Sequence, residues 1–446
     1  MIYNNITELI GNTPLLKIDQ SVHKLNDFEI YAKLEYYNPF GSLKDRVALN
    51  ILEPELLETK KLNKTILESS SGNTAKALAI LAKINNLEFK TITNRMKVQE
   101  VRMMLQFLGA QIEELPGLSD CPDPNDLSNP LTITSNLAIS EPTKWTYTDQ
   151  YFNENNWKAH QKTGEEVIND LGTLDYFFGV LGTCGSTFGA ASYMKQMNIP
   201  VKTIGVISEA ASWIPGGRNI NELWETGFFD KKFYTDIISG SIEKAIYGMQ
   251  IINQKCGILA GPTSGLNYAC MIDYLQKIDN SQTFKEKQKV VFIACDRAEP
   301  YMNYVKKYCP DIFEKSTQSR LTVNNITPDQ IAISKTIEPD QLLLKINSQN
   351  PPIIIDIRGN FAYSIGHIKD SINILDELFG TIIEQGNTLP LNKEIVIVCS
   401  VGKISGKFCA FLENQGYTTF SLLGGIKAWK EKEFELIKTI KSYGQF

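Results

Sequence analysis

The sequence has few of the residues that build metal sites and disulfide frameworks. Its 446 residues include only three histidines, which lie far apart at His23, His160 and His367, and none of the eight cysteines forms a C-x-x-C pair. We therefore predict neither a metal site nor a set of disulfides, and we expect most of the thiols to be small core residues.

A long apolar segment and an excess of positive charge are also missing. No stretch approaches the roughly 18 to 20 continuous apolar residues that span a bilayer, and the formal net charge of −5 argues against a basic face for nucleic acid. Residues 1–5 have no basic segment ahead of an apolar one, so we expect no secretory signal. The balance of 43% hydrophobic and 21% charged residues is typical of a globular cytoplasmic protein.

The length and the apolar pattern predict more than one α/β domain. From about residue 28 to 300, short apolar runs alternate with segments of helical period, which indicates βα units around mostly parallel sheets in two subdomains. Residues 305–340 are more polar, and a shorter α/β pattern follows them. We predict a first domain over 1–305, a linker over 306–334 and a second domain over 335–446.

Two stretches of the first domain place polar side chains at predicted helix starts. Residues 38–46 end a strand with a turn and put Lys44 in the first helical turn, where a lysine can form a Schiff base with an aldehyde cofactor. Residues 69–74 combine hydroxyls, an amide and free backbone N–H groups, a combination typical of an anion-binding nest. A solvated helix lysine and a plain N-cap would use the same residues.

Two further stretches follow the same logic. Residues 179–187 leave an apolar strand and open a helix, and their small side chains would let the backbone approach a phosphate closely. Residues 261–265 also open a helix, and their hydroxyls suit either a helix cap or a ring nitrogen. A tight βα turn is the simpler interpretation of the first of these two stretches.

Taken together, the four stretches and the opening residues 6–15 resemble the cysteine synthase/cystathionine β-synthase family of pyridoxal 5′-phosphate (PLP) enzymes. The resemblance covers about residues 1–305 in the family's order and spacing. It implies a two-subdomain α/β fold of the tryptophan-synthase-β type with parallel-type sheets, a PLP cofactor and a homodimer.

The resemblance also implies roles for single positions. Lys44 would hold PLP covalently and act as the general base on the substrate Cα proton, while Asn73 would bind the 3′-oxygen. Thr263 would face the pyridine nitrogen, where a hydroxyl, unlike a carboxylate, does not force that nitrogen to stay protonated. The implied phosphate-binding residues are Gly182, Thr183, Cys184, Gly185 and Ser186. The implied residues around the substrate carboxylate are Ser70, Ser71, Gly72, Thr74 and Gln150.

Two of these positions depart from the family's usual residues. The family often has glycine where Cys184 stands and serine where Thr263 stands. We therefore consider two consequences for Cys184, which are crowding of the phosphate and sensitivity to oxidation.

A loop in the first domain bears on the substrate. The family makes an aminoacrylate from a serine with a good leaving group and then adds a nucleophile. Residues 215–222 resemble the loop of O-phosphoserine-using cysteine synthases, in which an arginine meets the phosphate. Arg218 therefore favours O-phosphoserine over O-acetylserine, although an arginine of an ordinary surface loop would look the same.

A second resemblance gives an alternative nucleophile. The regions around Asn38, Gln150 and Asn156 are similar to enzymes that join O-phosphoserine to glutamate and yield a 2,3-diaminopropionate precursor. Such enzymes need a cation for the carboxylates of the incoming amino acid. No arginine lies between Arg102 and Arg218, which argues against this alternative.

Residues from about 335 to 440 resemble a single rhodanese-like domain. The matching stretches are residues 356–358, 363–373, 399–405 and 423–429. Cys399 follows a strand and precedes a helix, so backbone N–H groups and the helix dipole would lower its pKa and hold an anionic persulfide. A buried thiol at a strand end is the simpler interpretation of Cys399.

At two positions this loop differs from related families, and both differences bear on the reactions that Cys399 can carry out. A related phosphatase family has an arginine where Ser405 stands, so we expect no phosphatase activity. Many rhodaneses have an arginine where Ile404 stands, which leaves Lys403 as the nearby cation and argues against thiosulfate as the sulfur donor.

The two domains together predict a PLP-dependent β-replacement on an activated L-serine. A persulfide on Cys399 would deliver the sulfur, so the partners would be an amino-acid substrate and a sulfur donor. Two alternatives remain, which are replacement by an amine and a non-catalytic sulfur carrier or sensor.

Overall fold

The computed structural model describes residues 2–116, 127–281, 284–314, 322–386 and 389–439. The chain divides into two compact units, Met1–Glu314 and Lys315–Phe446. Within the described residues, no helix combines the length and the apolar character needed to cross a membrane.

The described residues of the first unit alternate strands with helices. The strands are β1 (Leu15–Lys17), β2 (Phe28–Leu34), β3 (Thr65–Glu68), β4 (Phe89–Thr93), β5 (Gln111–Glu114), β6 (Trp145–Tyr147), β7 (Tyr176–Val180), β8 (Lys202–Ser208), β9 (Asp236–Gly240) and β10 (Gln288–Ala294). The α-helices are α1 (Gln20–His23), α2 (Lys44–Leu52), α3 (Leu56–Leu62), α4 (Asn73–Ile84), α5 (Gln99–Phe107), α6 (Pro130–Ser140), α7 (Asn155–Leu171), α8 (Gly185–Gln196), α9 (Ile242–Cys256), α10 (Pro262–Asp279), α11 (Met302–Tyr308) and α12 (Asp311–Glu314).

In the described part of this unit the strands form two sheets. The larger has the order β1-β2-β10-β7-β8-β9, with β1 antiparallel to β2 and the other pairs parallel. The smaller has the order β5-β4-β3-β6 and is parallel throughout. All five residues of β7 are buried, as expected for a central parallel strand that is covered on both faces. The predicted α/β class with mainly parallel sheets is confirmed.

Two helix pairs pack closely because glycines face the partner's backbone. A Cβ added at Gly189 in α8 would lie 2.0 Å from the carbonyl oxygen of Trp157 in α7. A Cβ added at Gly248 in α9 would lie 2.1 Å from the carbonyl oxygen of Gly265 in α10. A larger residue would separate each pair, so these glycines fix the positions of α8 and α10.

A buried ionic cluster joins α2, α7, β2 and the N-terminal segment. Arg46 donates to both carboxylate oxygens of Glu35, at 2.8 and 2.9 Å, and to both of Glu166, at 2.8 and 2.7 Å. Lys33 Nζ lies 2.7 Å from Glu166 Oε2, and the Thr13 hydroxyl donates to Glu35 at 2.8 Å. Two cations and two carboxylates balance, so each buried charge has a partner.

The second unit contains a smaller α/β structure. Its described strands are β11 (Thr336–Ile337), β12 (Ile353–Asp356), β13 (Ile372–Asn373), β14 (Glu394–Val398) and β15 (Thr418–Leu422). Its described α-helices are α13 (Pro328–Ile333), α14 (Pro339–Ile346), α15 (Asn360–Ser364), α16 (Asp376–Glu384), α17 (Ser405–Glu413) and α18 (Gly425–Glu431). The strands form one parallel sheet of order β11-β15-β14-β12-β13.

The stretch predicted as a linker, 306–334, contains more structure than the sequence indicates. The compact first unit continues through α11 and α12 to Glu314. In the second unit, Val323 and Ile326 are buried in the core, and the Val323 N–H donates to Glu384 at 2.8 Å. The described residues on both sides of 315–321 therefore pack with one unit or the other.

The described cysteines are free thiols in mostly buried positions. Cys256 and Cys309 are half-buried, and Cys121 lies outside the described residues. The buried cysteines are Cys184, Cys270, Cys295, Cys399 and Cys409.

Replacing Arg46 with Met should destabilise the first unit by about 3–5 kcal/mol, because Glu35 and Glu166 would stay buried with Lys33 as their remaining cation. Chemical denaturation of the whole protein, followed by tryptophan fluorescence, measures the change. The control is Lys83→Met, which removes a surface pair with Glu88 and should cost at most about 1 kcal/mol. Equal effects of the two substitutions would contradict the role given to the cluster.

Candidate active site

Four helices of the first unit begin at one cavity. They are α2, α4, α8 and α10, and residues of their first turns line the cavity together with the neighbouring loops. The N-cap residues of these helices are Leu43, Gly72, Cys184 and Gly261. In the described structure, none of these four residues accepts a capping hydrogen bond with its side chain. The first N–H of α2 donates to the Ser42 hydroxyl at 3.1 Å, and α10 begins with Pro262, which has no N–H. The other N–H groups of these helix N-termini and their partial positive charge suit anions.

Lys44 is the first residue of α2 and lines this cavity. Its Nζ donates to the Thr183 hydroxyl at 3.2 Å. Removal from water lowers the pKa of the Lys44 amine to about 8. A larger neutral fraction near neutral pH makes this amine a better nucleophile toward an aldehyde than an ordinary lysine.

The loop between β7 and α8 forms a cup in which side chains are excluded. A Cβ at Gly182 would lie 2.4 Å from the carbonyl oxygen of Gly216, and a Cβ at Gly185 would lie 2.1 Å from Asn156 Oδ1. Thr183 and Ser186 line the cavity on either side of this backbone. Backbone N–H groups, two hydroxyls and a helix N-terminus are the donors that a phosphate requires.

Cys184 takes a backbone conformation that usually favours glycine, with φ +64°. Its sulfur accepts a hydrogen bond from the Thr226 hydroxyl at 3.7 Å, and the side chain packs in an apolar cluster with Leu181 and Tyr234. Burial raises the pKa of this thiol to about 11. A thiol that is so little ionised is a poor nucleophile, so the environment does not favour the oxidation considered from the sequence.

Asn73 is held by a buried carboxyl group that sequence reasoning missed. Its Nδ2 donates to Asp296 Oδ2 at 2.7 Å, and the Tyr301 hydroxyl donates to the same oxygen at 2.5 Å. Burial raises the pKa of Asp296 to about 6. Among the described residues Asp296 Oδ1 has no hydrogen-bond partner, and Asp296 lines the cavity. Its position directly after β10 is the sequence signal that was available.

The residues implied for the substrate carboxylate meet at the carboxyl ends of β3 and β6. The order of the smaller sheet reverses at β3, and ligands of open parallel sheets bind at such a point. Thr74 donates its hydroxyl to Gln150 Oε1 at 2.7 Å, and Gln150 Nε2 donates to the Ser69 carbonyl at 3.3 Å. Ser70, Ser71 and Gly72 also line the cavity.

Thr263 lines the cavity as predicted, with its hydroxyl proton already engaged. Its Oγ1 lies 2.5 Å from the carbonyl oxygen of Pro215, and a carbonyl oxygen can only accept. In this arrangement the Thr263 oxygen offers lone pairs to any other partner. Donation to a ring nitrogen would therefore require the hydroxyl to rotate.

Two guanidinium groups line one end of the cavity. Arg218 is buried, donates to the Glu222 carbonyl at 2.9 Å and to the Glu225 carboxylate, and lies 4.8 Å from the centre of the Tyr151 ring. Arg95, which sequence reasoning missed, lies 3.2 Å from the Glu222 carboxylate and 3.6 Å from that of Glu225. Both arginines face the cavity, whereas the two glutamates do not line it.

The cavity brings together nearly all of the predicted site residues of the first domain. Gly185 does not line it, although this residue belongs to the loop that forms the cup. The predicted residues that line it are Lys44, Ser70, Ser71, Gly72, Asn73, Thr74, Gln150, Gly182, Thr183, Cys184, Ser186, Arg218 and Thr263. Lining residues without a prediction include Arg95, Tyr151, Trp213, Cys295 and Asp296. Arg95 belongs to no motif and could not be predicted from the sequence.

The donors present fit PLP. An amine of lowered pKa lies beside the cup, where Thr183 links Lys44 to the phosphate-binding backbone. Asn73 and Asp296 line the same cavity, and Asp296 Oδ1 has no hydrogen-bond partner within the described part of the chain. A cofactor with an aldehyde, a phosphate and a polar ring matches this set of groups.

Cys399 of the second unit lies in a loop of backbone donors between β14 and α17. The Gly402 N–H donates to its sulfur at 3.1 Å, and the Ser405 hydroxyl lies 3.3 Å away. Burial alone would raise the pKa of this thiol, but the hydrogen bonds from the Ser405 hydroxyl and from backbone N–H groups outweigh it. The pKa is therefore lowered, as expected for a reactive thiolate.

The charged residues near this loop have different roles. Arg358 is bound to the Asp356 carboxylate at 2.7 Å and to the Gly366 carbonyl at 2.8 Å, so it stabilises the fold. Lys403 is exposed on the loop. The Ser405 hydroxyl, which lies 3.3 Å from the Cys399 sulfur, is a neutral donor at the position where the related phosphatases have an arginine.

Comparison with known proteins assigns both regions. Residues 6–296 match the family described as pyridoxal-phosphate dependent enzyme, and residues 338–432 match the rhodanese-like domain. The chain belongs to the pyridoxal-phosphate dependent enzyme family and carries a rhodanese-like domain after it.

Individual relatives indicate which enzymes of this family the chain resembles. The chain is 30% identical to a cysteine synthase of Aquifex aeolicus over 303 residues, which cover 67% of this chain and 90% of the relative. It is also 30% identical to cysteine synthase B of Salmonella typhimurium, with coverage of 67% and 95%. The structure of a hydrogen sulfide-producing enzyme from Fusobacterium nucleatum matches with a TM-score of 0.58 at 28% identity, covering 68% of this chain and 99% of that one.

These findings confirm the predicted class. The chain is a PLP-dependent, cysteine-synthase-like enzyme of the β-replacement type. The non-catalytic sulfur carrier or sensor is therefore not supported as an alternative.

The rate at which PLP attaches to cofactor-free protein should rise with pH around a midpoint near 8, because the neutral amine of Lys44 reacts and its pKa is lowered to about 8. Stopped-flow absorbance over a pH series measures this rate. Lys44→Ala is the control and should lose the pH-dependent phase. A midpoint above 10 would contradict the effect of burial on Lys44.

Proposed function

We propose that the enzyme replaces the phosphate of O-phospho-L-serine with sulfur. The observation that carries the proposal is the cationic surface of the cavity. The cavity is lined by Lys44, Arg95 and Arg218 together with the N-termini of α4 and α8. Of the described side chains that line it, Asp296 alone is acidic. A phosphate dianion gains more from this surface than a neutral acetyl group does.

When bound, PLP supplies the electron sink that β-elimination needs. Lys44 Nζ holds the position from which the substrate Cα proton is removed, and its lowered pKa leaves part of the amine free to accept that proton. Ser71, Thr74 and Gln150 bind the substrate carboxylate. Sulfur then adds at the Cβ that the phosphate has left.

Arg218 is suited to the leaving phosphate because Glu225 orients its guanidinium. The hydrogen bonds of Arg218 to the Glu222 carbonyl and to the Glu225 carboxylate both use Nη1, and a guanidinium has five N–H donors in a fixed fork. Arg95 adds a second guanidinium at the same end of the cavity. Two arginines held by carboxylates outside the cavity can present several donors to one phosphate.

A solved relative favours the competing leaving group. The O-acetylserine-dependent cystathionine β-synthase of Helicobacter pylori matches with a TM-score of 0.57 at 26% identity, covering 68% of this chain and 98% of that one. Whether this enzyme uses O-phosphoserine or O-acetylserine therefore depends on Arg95 and Arg218.

Arg95 also reopens the amine alternative. That alternative requires a cation for the carboxylates of an incoming amino acid, and the stretch without arginine extends only from Arg102 to Arg218. Arg95 lies outside that stretch and lines the cavity. Incubation with O-phosphoserine and L-glutamate, followed by mass spectrometry of the products, distinguishes amine addition from sulfur addition.

We propose further that Cys399 carries the sulfur. Its thiolate takes the outer sulfur of a persulfide RSSH, and the thiol RSH leaves. This sulfur must gain two electrons to become a thiol, so a second thiol reduces the enzyme persulfide. Sulfide is then released, and the mixed disulfide left on Cys399 is resolved by another thiol.

The Arg218→Gln/Glu225→Gln variant removes the cation without leaving a buried carboxylate unpaired. Its kcat/KM for O-phosphoserine should fall about 10- to 150-fold, since hydrogen bonds to charged groups contribute about 1.5–3 kcal/mol. The kcat/KM for O-acetylserine should change little. Steady-state assays with both esters measure the ratio.

A surface control separates local from general charge effects in that experiment. Lys232 is exposed on a short 3₁₀ helix, and Lys232→Gln should leave both esters unaffected. Equal losses for the two esters in the Arg218 variant would overturn the assignment of Arg218 to the phosphate.

Cys399→Ser should reduce cysteine formation from glutathione persulfide and glutathione to the rate at which glutathione releases sulfide from the persulfide in solution, because the outer sulfur has no enzyme thiolate to receive it. Turnover with sodium sulfide should persist, since free sulfide needs no carrier. Cysteine release is measured with O-phosphoserine as the co-substrate. The control is Cys256→Ser in the first unit, and unchanged persulfide turnover in Cys399→Ser would exclude the relay.

A further inference from the structure

Glu68 is a buried carboxyl group whose negative charge acts on Lys44 without forming an ion pair with it. It is the last residue of β3 and has no exposed surface, and no ion pair among the described residues includes it. Burial raises its pKa to about 7. An unpaired buried carboxyl is costly, so its presence calls for an explanation that the ionic cluster around Arg46 does not provide.

The hydrogen bonds of Glu68 come from two different segments. The Ser69 N–H donates to Oε1 at 2.9 Å. On the other side, the Thr148 hydroxyl and the Gln150 N–H donate to Oε2 at 2.5 and 3.2 Å. Every partner is a donor, which matches a carboxylate that can only accept.

These two segments carry the residues proposed to bind the substrate carboxylate. The loop after β3 contains Ser71 and leads to Thr74, and the segment after β6 contains Gln150. β3 and β6 are neighbours; Leu67 and Tyr147 are the last pair of the ladder, and the Thr148 N–H donates to the Leu67 carbonyl at 3.1 Å. Glu68 joins the two segments at the point where backbone pairing ends.

We propose that Glu68 is a positioning residue that sets the distance between the loop after β3 and Gln150, and so sets the affinity for the α-carboxylate of the amino-acid substrate. Glu68 does not line the cavity, so it acts through Ser69 and Gln150. The proposal rests on the substrate site given under the proposed function.

Glu68→Gln tests this role because it keeps the size and changes the hydrogen-bonding pattern. The amide has one accepting oxygen, so the N–H of Ser69 or of Gln150 would face an NH₂ group. KM for O-phosphoserine should rise about 10-fold, the equivalent of one buried hydrogen bond. We expect kcat and PLP affinity to change much less.

Substrate binding can be measured without turnover. L-Alanine has the α-carboxylate but no leaving group, so calorimetry with the PLP-loaded protein should show the same rise in its Kd. Thr148→Val removes one of the donors to Glu68 and should give a smaller change in the same direction. This variant carries the test if Glu68→Gln does not fold.

Two controls separate the possible failures. Glu58→Gln alters an exposed carboxylate paired with Lys64 and should change nothing. If Gln150→Ala leaves KM unchanged, the proposed substrate site is wrong. If Gln150→Ala raises KM but Glu68→Gln does not, the role of Glu68 is overturned. A parallel fall in kcat, PLP affinity and thermal stability in Glu68→Gln would also overturn it, since that pattern marks a merely structural residue.

Discussion

The first unit depends on the paired hydrogen bonds between Arg46 and the buried carboxylates of Glu35 and Glu166. Arg46 lies two residues after Lys44 in α2, so the cluster fixes the helix that presents the reactive amine. Glu166 belongs to α7, which packs against α8 through Gly189. One set of compensated charges therefore connects Lys44 with the helix whose N-terminus forms the phosphate cup. The desolvation of these charges is tolerable because each has a partner.

The cavity combines these fixed elements into an anion site. Helices normally satisfy their first N–H groups with a capping side chain, and the four helices that begin here lack such a cap from their N-cap residues. The positive potential of their N-termini adds to that of Arg95 and Arg218, which suits a cofactor phosphate, an α-carboxylate and a phosphate leaving group. The same removal from water that strengthens these interactions lowers the pKa of Lys44.

The cysteines illustrate how local structure decides reactivity. Burial raises the pKa of Cys184 to about 11 because its sulfur lies in an apolar cluster, where the Thr226 hydroxyl at 3.7 Å is a weak donor. Cys399 is also buried, but a loop of N–H groups and the Ser405 hydroxyl surround its sulfur, and its pKa is lowered. Both positions carry a cysteine. The number of donors around the sulfur makes one thiol part of the core and the other a candidate sulfur carrier.

The sequence by itself determined the α/β class, the two regions, and the motif residues around Lys44, Asn73, Gly182 and Cys399, because apolar periodicity and short loop motifs are local properties of the chain. It did not determine Arg95, Asp296 or the role of Glu68. These residues reach the site from separate strand ends, and their pairing with Glu225, Asn73 and Gln150 depends on how the sheets bring distant segments together. The pKa values of Lys44, Cys184 and Cys399 were likewise decided by the tertiary structure, since burial and hydrogen bonding set them.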